Sequence, residues 1–190
     1  MKQVYLDQNI SVQDVICLDV KQAHHIFDVL RTTSKEKIRI VTKNSGVFFG
    51  HVENKPNLVV DSMLDVFEEN QSITLCCALI KQDKFEWMLQ KACELGVHKI
   101  VPFVSKNTVV KLDEKKAEKK LIRWNEILLA ATKQCNRNTL VELEPVITLK
   151  ELSNYKSECN LVAYEKENEP SKHMARYLKD NPQSITVCIG

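Results

Sequence analysis

The sequence predicts an α/β protein in two parts, a small N-terminal β-barrel over residues 1–70 and a larger α/β domain over residues 71–190. The first observation is that short apolar strands and turns dominate up to about residue 70. The second is that strands and helices alternate from Ile73 onward, the pattern of a largely parallel sheet with helices on its faces. A chain of 190 residues, 44% hydrophobic and 27% charged, is long enough for one large or two small globular domains.

The first part contains one predicted helical segment, near residues 22–30, and a series of strands. Two strands read as a hairpin, because the apolar runs Ile38–Val41 and Val47–Val52 are separated by the turn-forming Lys43–Gly46. Short strands joined by such turns predict a small barrel. The part ends in a strand and then a polar linker, at Leu58–Phe67 and Glu68–Ser72.

The second part opens with Ile73–Ile80, a continuous apolar run typical of a central strand. Asp83 and Glu86 have the spacing of a helix-capping box, and Leu95-Gly96 supplies the end of that helix. A longer helix is predicted from side chains that recur at alternating spacings of four and three residues: Ala117, Leu121, Trp124, Leu128, Ala131 and Cys135. The remaining elements are strands at Lys99–Val104, Asn160–Tyr164 and Ser184–Ile189, and a helix at Ser171–Leu178.

Composition excludes several classes of protein. The start of the chain has no apolar signal-peptide core, and no stretch approaches the ~20 apolar residues of a membrane span, so we expect a cytosolic protein. Seven cysteines without a Cys-x-x-Cys motif favour reduced thiols, and the histidines lack zinc spacing, so no metal is expected. Residues 71–190 carry 19 basic against 15 acidic side chains, which is compatible with a nucleic-acid partner.

Two predicted strand ends are candidate cofactor-binding positions, Tyr164 with Glu165 and Ile189 with Gly190. Ligands of open parallel sheets bind beyond the carboxyl ends of the strands, where backbone N–H groups are free. Gly190 has two interpretations, an ordinary turn or a place where a ligand approaches the backbone closely. Glu165 is either a solvated loop carboxylate or a candidate general base.

The polar end of the long helix is a candidate RNA contact. Lys133, Gln134 and Arg137 are three or four residues apart, so we expect them to share one flank of the helix. This cluster is either a solvated helix end with cations near the negative end of the dipole, or a contact for phosphate or a base. By contrast, the lysine-rich run at 115–123 is interleaved with acidic residues and is interpreted as solvated surface.

The first part has its own basic patch. Of the adjacent His24 and His25, which precede it, one is expected to be a packed, hydrogen-bonded histidine. Barrel modules often bind nucleic acid through basic patches, although only part of a patch on one strand shares a face. The patch consists of Arg31, Lys35, Lys37 and Arg39.

Several segments, in this order, resemble the RsmE family of 16S rRNA uridine-N3 methyltransferases, members of the SPOUT superfamily. They are His25–Arg31, then Lys81–Glu86 followed by Lys91–Val97, and finally Trp124–Arg137. The resemblance spans essentially the whole chain. It implies an N-terminal PUA-like barrel for RNA, a C-terminal domain with a trefoil knot around S-adenosylmethionine, and a homodimer that acts on the small ribosomal subunit.

The implied reaction suits the residues found. Transfer of a methyl group to uridine N3 requires removal of the N3 proton and stabilisation of the negative charge that spreads over the ring. Arg137 is assigned to that electrostatic role and Gln134 to orienting the base or its phosphate, while Glu165 is a candidate base. RNA contacts are assigned to Arg31, Lys35 and Lys133.

The chain departs from the family pattern in three places. Val141 stands near the position of a usual proline, and Lys35-Glu36 stands where a glycine-acid pair is usual. The family also continues after the glycine matching Gly190 with a Pro-Glu-Gly-Gly loop, another strand crossing and a final helix. We therefore expect an incomplete knot, and a 190-residue form that binds S-adenosylmethionine weakly or not at all and lacks methyltransferase activity.

Two other functions are considered, a non-catalytic RNA-binding protein whose α/β half is a scaffold, and a different α/β nucleotide-binding enzyme. The second is disfavoured because no Gly-x-Gly-x-x-Gly or Walker loop follows a predicted strand. The chain also contains only four glycines, too few for several such loops.

Overall fold

A computed structural model describes residues 2–42, 46–66, 71–106, 108, 114–170 and 173–190. These residues form two compact units, one from the described part of 1–68 together with 136–139, the other from the rest. Some predicted features fall wholly or partly outside the described residues: the turn at Lys43–Gly46, the strand end at Phe67, the linker at Glu68–Ser72 and the helix start at Ser171.

Where the structure describes it, the first unit has five strands: β1 (Gln3–Leu6), β2 (Val15–Cys17), β3 (Ile38–Thr42), β4 (Gly46–Val52) and β5 (Asn57–Leu64). Their order in the sheet is β1-β3-β4-β5-β2, with β1 parallel to β3 and the other neighbours antiparallel. Alternating side chains such as Ile38, Ile40 and Val60 bury one face of the sheet. The strands predicted in this region are confirmed, except that the last one ends at Leu64 and does not include Asp65 and Val66. Their closure into a barrel stays a prediction.

The helical segment of the first unit has two parts, α1 (Val20–Ala23) and a π-helical stretch at His24–Val29. Asp19 caps α1, since its carboxylate accepts from the Gln22 backbone N–H at 2.8 Å. Ile26 and Ala23 point into the core. The expected histidine is hydrogen-bonded but not packed. His24 Nδ1 lies 3.0 Å from Asp28 Oδ2, whereas His24 and His25 are both exposed, because the buried side of this stretch is taken by Ile26.

The described residues of the second unit form six strands and three α-helices. The strands are β6 (Ser72–Ala78), β7 (Lys99–Val104), β8 (Glu142–Leu143), β9 (Ile147–Thr148), β10 (Cys159–Ala163) and β11 (Ser184–Ile189). The helices are α2 (Gln82–Glu94), α3 (Glu114–Gln134), α4 (Met174–Tyr177) and a 3-10 helix at Leu149–Tyr155. The sheet order is β10-β11-β6-β7-β8, with β9 also paired to β7, and every described pairing is parallel. The predicted parallel sheet is therefore confirmed.

Apolar clusters lie on the two faces of this sheet. On one face Leu75 and Cys77 of β6 pack with α2 and α3, whose Phe85 and Trp124 rings lie 4.6 Å apart between centroids. On the other face Cys76, Val101 and Phe103 pack against Leu152 and Tyr155 of the 3-10 helix. The alternation along β6 places successive side chains in different clusters, as a strand with both faces covered requires.

The start of α2 differs from the prediction. The helix begins at Gln82, and Lys81 at its N-cap makes no side-chain capping hydrogen bond, so the capping box at Asp83 and Glu86 is wrong. Glu86 instead accepts from the Arg123 guanidinium of α3 at 2.7 and 2.8 Å. The predicted end is confirmed, since Gly96 follows the helix with φ of +93°. Within the described residues, no helix is both long and apolar enough to cross a membrane.

Candidate functional site

The carboxyl ends of four parallel strands meet at one edge of the second sheet. Ala163 of β10 is in register with Ile189 of β11, Ile189 with Cys77 of β6, and Ala78 of β6 with Phe103 of β7. The predicted cofactor-binding residues follow or end these strands, so the fold brings them to a common edge. They are Tyr164, Glu165, Ile189 and Gly190.

This carboxyl edge exposes apolar side chains. Val162 is 75% exposed, Tyr164 58%, Ile80 49% and Ile189 48%. Strand ends with large apolar side chains left open suit a ligand with a flat aromatic base, because the faces of a purine can pack against them. The residues present therefore fit a nucleoside-containing cofactor such as S-adenosylmethionine.

Gly190 is held close to its neighbours across the sheet. A Cβ atom at this position would lie 2.9 Å from Cζ of Phe103 and 3.2 Å from Cβ of Ala78. Both distances are shorter than ordinary carbon–carbon contacts, so the space beside Gly190 is filled by the Phe103 ring. A reason for the glycine thus lies within the sheet itself: it admits a buried aromatic ring from two strands away.

The thiols near this edge are poorly suited to nucleophilic chemistry. Cys76 and Cys188 are neighbours in register on β6 and β11. Burial raises the pKa of the Cys76 thiol to about 11, with the Cys188 thiol adding to the shift, and burial also raises the pKa of Cys188. Both groups are protonated at neutral pH, and the thiolate is the reactive form.

The predicted cluster at the end of α3 is only partly formed. The helix ends at Gln134, and Asn136 has a left-handed φ of +54°, which turns the chain out of the helix. The expectation that Arg137 shares a helical flank with Lys133 and Gln134 is therefore wrong. Arg137 belongs to the 136–139 segment, which is part of the first unit.

The backbone of Arg137 is held by two side chains of the first unit. The Tyr5 hydroxyl donates to the Arg137 carbonyl oxygen at 2.9 Å, and Arg39 Nη1 donates to the same oxygen at 3.2 Å. Arg39 Nη2 donates to the side-chain oxygen of Asn138. The Arg137 guanidinium reaches Thr139 Oγ1 at 3.4 Å. The main chain of this loop is thus held by Tyr5 and Arg39, and its Arg137 side chain is half-buried.

Arg39 was predicted as part of the basic patch, and the structure corrects this. It is 5% exposed, because it lies on β3 beside Gln3 and its guanidinium donates to Gln3 Oε1 at 2.8 Å. The sequence does not predict the hydrogen bonds that Arg39 and Tyr5 donate to the 136–139 loop. A signal was present, since Arg39 is a single charge within the apolar run Ile38–Val41.

The rest of the basic patch lies at the surface of the first unit. Arg31, Lys35 and Lys37 are all exposed, with Arg31 at a φ of +46° directly after the π-helical stretch. The Lys37 ammonium lies 5.5 Å from the centroid of the Phe49 ring. Three cations on one short segment can neutralise phosphates of a nucleic acid.

The chain is similar in sequence to RNA methyltransferases. A family model described as "RNA methyltransferase domain" matches residues 67–190. Ribosomal RNA small subunit methyltransferase E of Bacillus subtilis is 28% identical over 169 residues, which are 85% of this chain and 66% of that protein. The protein of the same name from Mesomycoplasma hyopneumoniae is 34% identical over 125 residues, 65% of this chain and 52% of that protein. The chain therefore spans about half to two thirds of the length of these relatives.

Solved methyltransferase structures share the fold. A putative methyltransferase from Legionella pneumophila, in complex with the bound cofactor SAM, matches with a TM-score of 0.83 and 24% identity over 99% of this chain and 78% of that one. A ribosomal RNA small subunit methyltransferase E from Neisseria gonorrhoeae, bound to S-adenosyl methionine, matches with a TM-score of 0.77 and 25% identity over 100% of this chain and 80% of that one.

Proposed function

Because this chain belongs to the RNA methyltransferase family, we propose that it acts in S-adenosylmethionine-dependent methylation of ribosomal RNA, at N3 of a uridine in the 16S RNA of the small subunit. The family match over 67–190 is the observation that carries this proposal. The names of the relatives support the small subunit as the partner, and cofactor-bound structures of the same fold support S-adenosylmethionine. The proposed place of action is the cytosol, and the proposed assembly is a homodimer.

The cofactor is assigned to the carboxyl edge of the second sheet. Tyr164 and Ile189 would cover its apolar rings, Glu165 would accept from ribose hydroxyls, and the backbone at Gly190 would lie beside it. When bound, S-adenosylmethionine supplies an electrophilic methyl group. The residues of this chain then have to hold the uridine and manage its charge.

Arg137 is assigned to charge stabilisation at the base, beside the cofactor of the partner subunit in the proposed homodimer, because it precedes β8, which pairs with Lys99 at the amino end of β7. Uridine N3 has to give up its proton to a base or to water, and the negative charge left behind spreads to the two carbonyl oxygens of the base. That charge is consumed when N3 bonds to the methyl carbon, while the methyl–sulfur bond of the donor would break and leave a neutral thioether. A fixed guanidinium directed at those oxygens stabilises that charge without having to reorganise during the reaction. Gln134 is assigned to orienting the base, because an amide has both a donor and an acceptor for a pyrimidine edge.

RNA binding is assigned to the cations outside the reacting centre. Arg31 and Lys35 are exposed on the first unit and Lys133 lies in the last turn of α3. These side chains would contact phosphates, which position an RNA without reading its sequence. Binding is therefore expected to weaken steeply as salt is raised.

A gene-replacement experiment tests the proposal. The gene that encodes this chain is deleted in its own organism, and N3-methyluridine in 16S RNA is measured by mass spectrometry of RNA digests. We expect the modification to disappear, to return with the wild-type gene and to stay absent with Arg137→Ala. Arg123→Ala is the matched control, since Arg123 is an exposed arginine of α3 paired with Glu86, and it should restore the modification.

The outcomes separate the candidate functions. Full methylation in the deletion strain would overturn the proposed reaction. If the protein binds small subunits but its deletion leaves every methylated nucleotide in place, it is an RNA-binding protein with a scaffold domain. Restoration by Arg137→Ala to the wild-type level would remove the role assigned to that side chain alone.

A further inference from the structure

We propose that Tyr5 and Arg39 are positioning residues for Arg137, an inference that rests on the charge-stabilising role proposed for Arg137 above. Both side chains donate to the Arg137 carbonyl oxygen, at 2.9 and 3.2 Å. Neither belongs to a segment that the family resemblance singled out. Their action would be to fix the main chain from which the Arg137 guanidinium projects.

The two residues belong to one hydrogen-bond chain on the first sheet. Gln3 and Arg39 are partners in the register of β1 and β3, and Tyr5 lies two residues along β1 on the same face as Gln3. Arg39 Nη1 donates to Gln3 Oε1 at 2.8 Å, Gln3 Nε2 donates to the Tyr5 hydroxyl, and that hydroxyl donates to the Arg137 carbonyl. The donors and acceptors thus follow in order from Arg39 back to residue 137.

The side chains of this hydrogen-bond network are buried, which indicates that its geometry is fixed. Gln3 is 6% exposed, Tyr5 7% and Arg39 5%. Within the described residues the acceptors of Arg39 are all neutral, namely Gln3 Oε1, the Arg137 carbonyl and Asn138 Oδ1. A buried guanidinium without a carboxylate partner is a costly way to gain stability, because its desolvation is offset only by neutral dipoles. What the arrangement does achieve is to hold two consecutive residues, 137 and 138, at once.

This arrangement has a direct consequence for methyl transfer. Residues 136–139 have no regular secondary structure of their own, since α3 ends at Gln134 and Asn136 turns the chain away. The rate of the reaction falls by about a hundredfold when a catalytic group is misplaced by about 1 Å. Loss of one main-chain anchor should therefore slow the chemical step while leaving substrate binding unchanged.

The test combines single variants with a double-mutant cycle. Protein produced from the complete gene is assayed with labelled methyl donor and small subunits, and kcat, KM for the subunit and the Kd of S-adenosylmethionine are measured. Tyr5→Phe removes only the hydroxyl, and Asn138→Ala removes only one acceptor of Arg39. Tyr177→Phe is the matched control, because Tyr177 is half-exposed at the end of α4 in the second unit.

We expect Tyr5→Phe and Asn138→Ala each to lower kcat by about tenfold with KM and Kd within about twofold of wild type, and Tyr177→Phe to change none of them. In an Arg137→Ala background, Tyr5→Phe should lower kcat no further, since there is no guanidinium left to position. A purely structural role would lower activity equally in both backgrounds.

The results that overturn the inference differ from those that overturn the function. Full kcat in both Tyr5→Phe and Asn138→Ala, or a further loss on adding Tyr5→Phe to Arg137→Ala, refutes positioning and leaves Arg137 in place. If Arg137→Ala itself keeps wild-type kcat, the role proposed for Arg137 fails, and the positioning role fails with it. If Tyr5→Phe does not fold, Asn138→Ala decides, since its side chain is only half-buried at the end of the network.

Discussion

Replacing Arg39 by methionine should destabilise the first unit, although the sequence alone placed this residue in a surface patch. Methionine keeps a long apolar side chain on β3 and removes the guanidinium with its hydrogen bonds to Gln3, Arg137 and Asn138. The Arg137 carbonyl retains the hydroxyl of Tyr5, but Gln3 Oε1 is left buried without this donor.

The magnitude follows from these groups. An acceptor left buried and unsatisfied costs about 1–3 kcal/mol. Asn138 is half-buried, so water replaces part of its lost hydrogen bond. Removal of a buried cation recovers some desolvation free energy. We therefore expect the free energy of unfolding to fall by about 2 kcal/mol. Lys37→Met, at an exposed position two residues away, should change it by less than about 0.5 kcal/mol.

The assay has to report on the first unit. Both tryptophans, Trp87 and Trp124, lie in the second unit, so indole fluorescence does not follow unfolding of the first. Hydrogen exchange of the β3 amides does follow unfolding of the first unit. A loss of about 2 kcal/mol in the free energy of unfolding corresponds to about thirtyfold faster exchange. Unchanged exchange in Arg39→Met together with weaker binding to small subunits would refute this reasoning and return Arg39 to the RNA-binding surface.

Three further perturbations test the second unit and its surroundings. The Arg123 guanidinium lowers the pKa of Glu86, so wild type should exceed Glu86→Gln in stability above pH 4.5, with the difference disappearing as pH falls through the lowered pKa in urea titrations. Iodoacetamide at pH 7.5 should label the exposed Cys17 well before the two buried thiols of β6, as peptide mass mapping would report; equal labelling contradicts the burial. Gly190→Ala should destabilise the second unit by about 1–3 kcal/mol through collision with Phe103, and Phe103→Leu in the same protein should recover part of the loss in thermal unfolding.

The elements that the sequence predicted well are those in which burial repeats with a short period. Ile73–Ile80 reads as a strand buried on both faces, and β6 has apolar partners on each side. Trp124, Leu128 and Ala131 recur at helical spacing, and all three are buried on α3. Both patterns are local in the sequence: the strand is an uninterrupted apolar run, and the helix has apolar side chains that recur every three or four positions.

The features that the sequence did not reveal depend on partners far along the chain. Glu86 looks like a capping residue within its own segment, but it pairs with Arg123, 37 residues away. The helical spacing of the sequence continues past Gln134 to Arg137. In the structure, however, the Arg137 carbonyl accepts a hydrogen bond from Tyr5, 132 residues away. No local pattern encodes contacts of that separation, so the site around Arg137 emerges only from the folded chain.

The position of β11 between β10 and β6 also determines when the sheet can be completed during translation. β10 is synthesised first, but its neighbour in the sheet is β11, and the intervening residues take about 1 to 5 seconds to emerge at ordinary elongation rates. Over that interval, the nascent chain has unpaired edges on both β6 and β10, the kind of surface on which strands of other molecules add. Insertion of β11 into this gap covers the exposed edge of β6 and the facing edge of β10 at the same time. The interval before this insertion is therefore when a bound chaperone would matter most.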